Sequence, residues 1–136
     1  MVEEGKSNPS LSPDTEDSKK DPSLSTVKEK LGNILHFKES LEARVDRNKF
    51  ISQKEIPDLL KKGIIATEDR RFYEHGAIDP IGVTRAAVTN YFAGHTLEGG
   101  STITQQTVKN IFLSNDRTIL RKMEELALAV QMEKYY

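Results

Sequence analysis

The sequence predicts a mainly α-helical single domain behind a disordered tail, and three observations point there. Beyond residue 26 the apolar residues recur at three- and four-residue spacing instead of alternating. Helix-start signals stand in front of those runs: Asp79-Pro80, Thr102 with Gln105 three residues on, and Ser114-Asn115-Asp116. No segment combines strand alternation with turn signals. At 136 residues the chain has room for one domain at most.

Residues 1–26 hold Pro9, Pro13, Pro22 and six serines but few large apolar groups. Such a segment buries too little surface to offset its ordering entropy, so disorder is expected. Residues 27–55 read as a helix and a connecting segment. Val27, Leu31, Ile34, Leu35 and Leu41 carry the helical spacing, Asp46-Arg47-Asn48 breaks it, and Lys49 to Ser52 is extended or loop. The remaining unit, residues 56–136, starts a helix with Pro57 in its first turn. Leu59, Leu60, Gly63, Ile64 and Ala66 form its expected buried face, and it delivers Glu68 and Asp69 near its end, with Gly76-Ala77 as a stop.

Asp79-Pro80 opens the next helix, with Ile81, Val88, Tyr91 and Phe92 as its apolar positions and Gly94 as its end. After the loop His95 to Gly100, the Thr102–Gln105 spacing predicts a capping box and a helix to about Leu113. Ser114-Asn115-Asp116 would cap a last helix with Ile119, Met123, Leu126, Ala127 and Val130 on one side. That helix reaches Tyr135-Tyr136 in mid-pattern, which reads as a chain cut short.

Composition excludes several functions. A formal net charge of −1 provides no basic field for nucleic acid. Absence of cysteine removes disulfides and thiolate chemistry, and no metal-ligand motif is present. No apolar run approaches a membrane span, and the N-terminus lacks a signal-peptide layout.

Two stretches 33 residues apart carry the chemistry: Glu68-Asp69 with Phe72 and His75, and Gly99-Gly100-Ser101-Thr102 with Gln105 and Gln106. Adjacent carboxylates at a helix end are ordinarily a solvated ion-pairing end. If Glu68 instead closes a buried helix facing a cleft, partial desolvation tunes it as a general base, with Phe72 anchoring the turn to the core. His75 reads as a structural hydrogen-bonding residue. The glycine pair before a helix reads as a loop and N-cap, or as an anion site where free N–H groups meet the positive dipole end. Ser101, Gln105 and Lys109 then form one polar stripe; Arg117, Arg121 and Glu125 form another, with Lys122 beside it. Lys109, Arg117 and Arg121 together resemble a diphosphate clamp. Glu125 among them either holds the arginines in place or holds a divalent ion against the phosphates.

In order, Glu68-Asp69-x-x-Phe72-x-x-His75, Gly99-Gly100-Ser101-Thr102-Ile103-Thr104-Gln105-Gln106 and Arg121-Lys122-x-x-Glu125 resemble the first three signature motifs of the peptidoglycan glycosyltransferases. These are glycosyltransferase family 51, the transglycosylase domain of class A penicillin-binding proteins and the monofunctional enzymes. The resemblance implies a lysozyme-like, mainly α fold. It implies inverting transfer from an undecaprenyl-diphosphate donor, polymerising lipid II into β-1,4 glycan strands. By position, Glu68 is the proposed base, Asp69 its support and Glu125 the second essential glutamate. Ser101, Lys109 and Arg117 fall on phosphate-contacting positions, and Gln105, Arg85 and Arg121 on binding positions. Phe72, His75, Gly99, Gly100, Thr102, Gln106 and Lys122 complete the motifs.

The implied partners are lipid II, a lipid-linked glycan chain, the membrane surface at the outer face of the cytoplasmic membrane and a cell-wall synthesis complex. The only cofactor left open is Mg²⁺ or Mn²⁺ at the diphosphate. Ala77 departs from the family, which usually has glycine there. The family's membrane anchor is not seen, and its fourth and fifth motifs would fall beyond Tyr136, so the chain reads as C-terminally incomplete and by itself inactive. Two other readings are a non-catalytic helical module binding lipid or glycan, and a lysozyme-like hydrolytic or lytic enzyme. The cations and the Gly-Gly-Ser-Thr stretch weigh against hydrolysis.

Overall fold

The structure, a computed structural model, describes residues 24–136. The expected disordered tail lies outside the described residues up to position 23, while Leu24 to Thr26 already form the first turn of a helix. Six α-helices follow in order: α1 Leu24–Leu35, α2 Phe37–Arg44, α3 Asp58–Glu68, α4 Pro80–Ala93, α5 Ile103–Phe112 and α6 Ile119–Tyr135. One 3-10 turn, Arg47–Lys49, stands between α2 and α3, and there is no strand among the described residues. The mainly α expectation holds, with the first predicted helix divided at His36.

That division matters for packing. His36 leaves helical geometry (φ −112°, ψ 46°), and the redirected chain buries Phe37 and Leu41. Phe37 sits between Phe112 of α5, ring centroids 5.5 Å apart, and Tyr135 of α6, at 6.3 Å and stacked. Val108, Leu128, Ala129 and Ala77 complete the core, with Ile34, Ile111 and Met132 packed against it. The α5–α6 pair forms the main helix contact, and α1 and α2 lie across it. Lys30 of α1 pairs with the buried Glu124 of α6.

Helices α3 and α4 stand to one side, and here the expected buried faces fail. No residue of α3 is buried; Leu59, Leu60 and Ile64 are exposed, because no described element covers that face. On α4, Ile81, Val88, Tyr91 and Phe92 face outward, and the small residues Gly82 and Ala86, one turn apart, are buried instead. Loop and helix approach closely here, since a Cβ on Gly100 would come within 2.9 Å of the Val83 Cα. Gly94 ends α4 in the left-handed region (φ 71°), as expected of a glycine C-cap.

The last helix also differs from expectation. Its N-cap is Thr118, whose Oγ1 accepts from the Arg121 N–H at 3.1 Å, and Ser114-Asn115-Asp116 stays in the preceding loop. Arg117 therefore precedes the helix and drops out of the predicted Arg117–Arg121–Glu125 stripe. The buried face carries Glu124, Glu125, Leu128 and Ala129, while Ile119, Met123 and Val130 are exposed. Ala77 lies in the core cluster.

Candidate active site

Helix α3 ends at Glu68, and Asp69 caps it, its N–H bonded to the Ile65 carbonyl at 3.0 Å. Because Asp69 leaves helical geometry, the two adjacent carboxylates diverge. Glu68 is exposed, so the desolvation expected from a buried helix is not supplied. Its Oε2 accepts from Gln106 Nε2 at 3.1 Å, which ties the first motif to the second; Oε1 has no partner among the described residues. Asp69 is buried. Its Oδ1 lies 2.6 Å from His75 Nε2, and its Oδ2 accepts from the Ile103 N–H at 3.0 Å. The next turn is held by Arg71, which bonds Asp79 Oδ1 at 2.8 Å and Glu74 Oε2 at 3.0 Å. Phe72, expected to anchor this turn in the core, is only half-buried and packs edge-on against Tyr73.

The second motif is built as a capping box. Thr102 Oγ1 accepts from the Gln105 N–H at 3.1 Å and donates to the Ala77 carbonyl at 2.8 Å. Gln105, buried, also donates to that carbonyl at 3.1 Å. These bonds correct the anion-cradle expectation: the Ile103 N–H already serves Asp69 and the Gln105 N–H serves Thr102. A helix start satisfied by its own chain has fewer donors left for a phosphate. Ser101 lies at the edge of this arrangement, and its Oγ accepts from Lys122 Nζ at 3.0 Å.

Lys122 also approaches Gln105 Oε1 at 3.5 Å and pairs with Glu125 Oε1, while Arg121 Nη1 donates to Glu125 Oε2 at 3.0 Å. Glu125 is thus buried between two cations, which fits the expectation that it holds an arginine in place. The side chains of Lys109 and Arg117 make no hydrogen bond or ion pair among the described residues.

A cavity of about 300 Å³ opens where the two motifs meet, with Glu68, Arg70, Arg85, Glu98, Ser101 and Gln106 among its lining residues. Asp69 and Gly99 also border it. The expected clamp of Lys109, Arg117 and Arg121 does not line it; Arg70 and Arg85 are its cations. The separation follows from α6 starting after Arg117 and from Arg121 being spent on Glu125. Arg85 Nε donates to Glu98 Oε1 at 2.7 Å, and Arg70 lies 3.5 Å from the same oxygen. The Arg85 hydrogen bond holds the Glu98 carboxyl below its ordinary range, against an opposing desolvation.

Sequence reasoning missed Arg70, Glu98 and Asn90. The Asn90 amide accepts from the Leu97 and Glu98 N–H groups (2.7 and 2.9 Å) and donates to the Glu98 carbonyl (2.9 Å), pinning the loop before Gly99. The only trace in the sequence was an amide in the last turn of a helix, followed by a polar loop.

Comparison with known proteins places the chain by its sequence. The transglycosylase family model matches residues 35–136. Penicillin-binding protein 1A/1B of Bacillus subtilis (strain 168) is 46% identical over 125 residues, 91% of this chain and 13% of that protein. Penicillin-binding protein 1A of Aquifex aeolicus is 44% identical over 68% of this chain and 13% of its own length. Penicillin-binding protein 1A of Escherichia coli (strain K12) is 51% identical over 59% of this chain and 9% of its own length. The chain therefore spans a small part of the length of these relatives.

Proposed function

This chain belongs to the transglycosylase family, and from that premise we propose that it serves the polymerisation of lipid II, with Glu68 as general base. The family carries a lysozyme-like helical fold, in keeping with the six helices described above. One observation carries the reading: Glu68 of the first motif, Ser101 of the second and Arg85 line a single cavity.

The chemistry follows from that placement. Converting an α-linked sugar diphosphate to a β-linkage inverts the anomeric carbon. It requires a base at the acceptor hydroxyl and charge neutralisation at the leaving group, without a covalent intermediate. Gln106 fixes one oxygen of Glu68 and leaves Oε1 to take the proton of the acceptor's 4-hydroxyl. Arg70 and Arg85 face the same space and supply positive charge toward the departing diphosphate. Ser101 accepts from Lys122, so its own O–H remains to donate to a phosphate oxygen. Lys109 and Arg117, unpaired, stand on family positions that contact the donor's phosphates, and we assign them that role.

A divalent cation at Glu125 is poorly matched, since both its oxygens already face a lysine or arginine; no step here runs through a metal. Among the described residues no helix is long and apolar enough to cross a membrane. The outer face of the cytoplasmic membrane, the lipid-linked glycan and a cell-wall synthesis complex therefore enter as part of the proposal.

The test is a chimera in which residues 35–136 replace the matching stretch of the Bacillus subtilis relative. Glu68→Gln in that chimera should reduce glycan-strand formation from lipid II by about 10²–10⁴-fold while leaving donor binding within about threefold. Near-normal turnover would remove Glu68 as the base. Donor binding by the parent chimera without any turnover would favour a binding role.

A further inference from the structure

We propose that His75 is an imidazolium with both ring protons committed, and that through Asp69 it sets the spacing between Glu68 and the start of α5. Its charge state stands on geometry alone; its consequence for catalysis rests on the reading of Glu68 as base.

The His75 Nδ1 lies 2.6 Å from the Gly76 carbonyl, which can only accept, so Nδ1 carries a proton. Nε2 faces Asp69 Oδ1 at 2.6 Å, and the proton between them belongs on the imidazole, the more basic partner. Asp69 Oδ2 accepts from the Ile103 N–H at the positive end of α5, so both carboxylate oxygens face donors. The two side chains are only 5% and 3% exposed, while the Gly76 carbonyl on Nδ1 lies at the surface. The ionised groups around the ring are Asp69 at the end of α3, Asp79 at the start of α4, and Arg71, which pairs with Asp79; α5 offers a backbone N–H. Burial opposes the charge. The Asp69 and Gly76 hydrogen bonds and the two carboxylates outweigh it, placing the ring above its ordinary value of 6.5.

His75 therefore acts as a positioning residue. It holds Asp69, the residue whose backbone ends α3, with its carboxylate on the first N–H of α5, the helix whose Gln106 grips Glu68. Since the folded value is raised, the stabilisation is complete below about 6.5 and is lost as pH climbs through the folded value.

The ¹⁵N-labelled chain has three histidines to assign, His36, His75 and His95. His75 should titrate with a midpoint above 6.5, both ring nitrogens protonated below that midpoint, and Ile103 amide protection should fall as pH climbs through it. A midpoint at or below 6.5, or one bare ring nitrogen at pH values well below the midpoint, overturns the charge assignment. Unaltered Ile103 protection through the titration overturns the positioning role. In the chimera, His75→Gln keeps one donor without the charge. It should lower kcat about tenfold or more at near-constant KM and remove the alkaline limb of the pH profile. Unchanged kcat and profile would also count against positioning. If Glu68→Gln keeps turnover while the NMR result holds, the base assignment falls and the imidazolium stands. The wild-type spectra decide even where His75→Gln fails to fold.

Discussion

Single side chains at this site are held by pairings between motifs that the linear order does not reveal. Lys122 shows it best: one ammonium reaches Ser101, Gln105 and Glu125, linking α6 to the second motif. Removing it with Lys122→Met leaves the buried Glu125 with Arg121 alone. An under-satisfied buried acceptor costs about 1–3 kcal/mol, so thermal or denaturant unfolding of the chain should show a loss of that size. Arg117→Ala, an exposed and unpaired position, should change stability by less than about 0.5 kcal/mol. Equal losses in the two variants would mean that Lys122 is not structurally committed. The two positions looked alike in sequence, as cations near Glu125. Which of them is engaged depends on Thr118, not Asp116, starting the helix.

At the scale of elements, most helix start and stop signals held, Ser114-Asn115-Asp116 excepted, and the apolar faces did not. Thr102 with Gln105, Pro80 in the first turn of α4 and Gly94 act where their local chemistry puts them, because such signals involve only neighbours within one turn. The Asp79 carboxylate, by contrast, makes no cap bond and pairs with Arg71. Burial of Leu59, Ile64, Tyr91 or Phe92 requires another element to cover that face, which no spacing rule guarantees. The approach of the Gly100 loop to α4 illustrates the difference. Gly100→Ala introduces a Cβ within 2.9 Å of the Val83 backbone, and one of the two segments must move. Overpacking of this kind costs about 1–3 kcal/mol, and Arg85 and Glu98, on either side of the contact, should shift with it. A crystal structure of the variant superimposing on the parent there, with no change in midpoint, would show that the contact is slack.

For the molecule as a whole, a small core joins α2, α5 and α6, and polar bonds attach α3 and α4 to it. Phe37 is the centre of that core, 1% exposed and in contact with the rings of Phe112 and Tyr135. Phe37→Ala should cost about 3–5 kcal/mol, a large share of the total for a domain of this size. Equilibrium denaturation would measure it, and a loss below about 1 kcal/mol would place the core elsewhere. The cavity, by contrast, is walled by Glu68, Arg85, Glu98 and Ser101, whose alignment depends on the bonds Asp69–Ile103, Gln106–Glu68 and Asn90–Glu98.

The sequence alone determined the helical class, the helix starts at Pro80 and Ile103, and the family, because these depend on neighbours along the chain or on long ordered motifs. Glu68, Ser101 and Gln106 were legible for the same reason. Only the tertiary structure decided that Asp69 occupies the first N–H of α5, that Arg70 and Glu98 enter the cavity, and that Lys122 rather than Arg117 meets Ser101. Each of those outcomes joins residues from different elements. Local propensity cannot specify such meetings; they follow from how the helices pack and from which charges remain unpaired once they do.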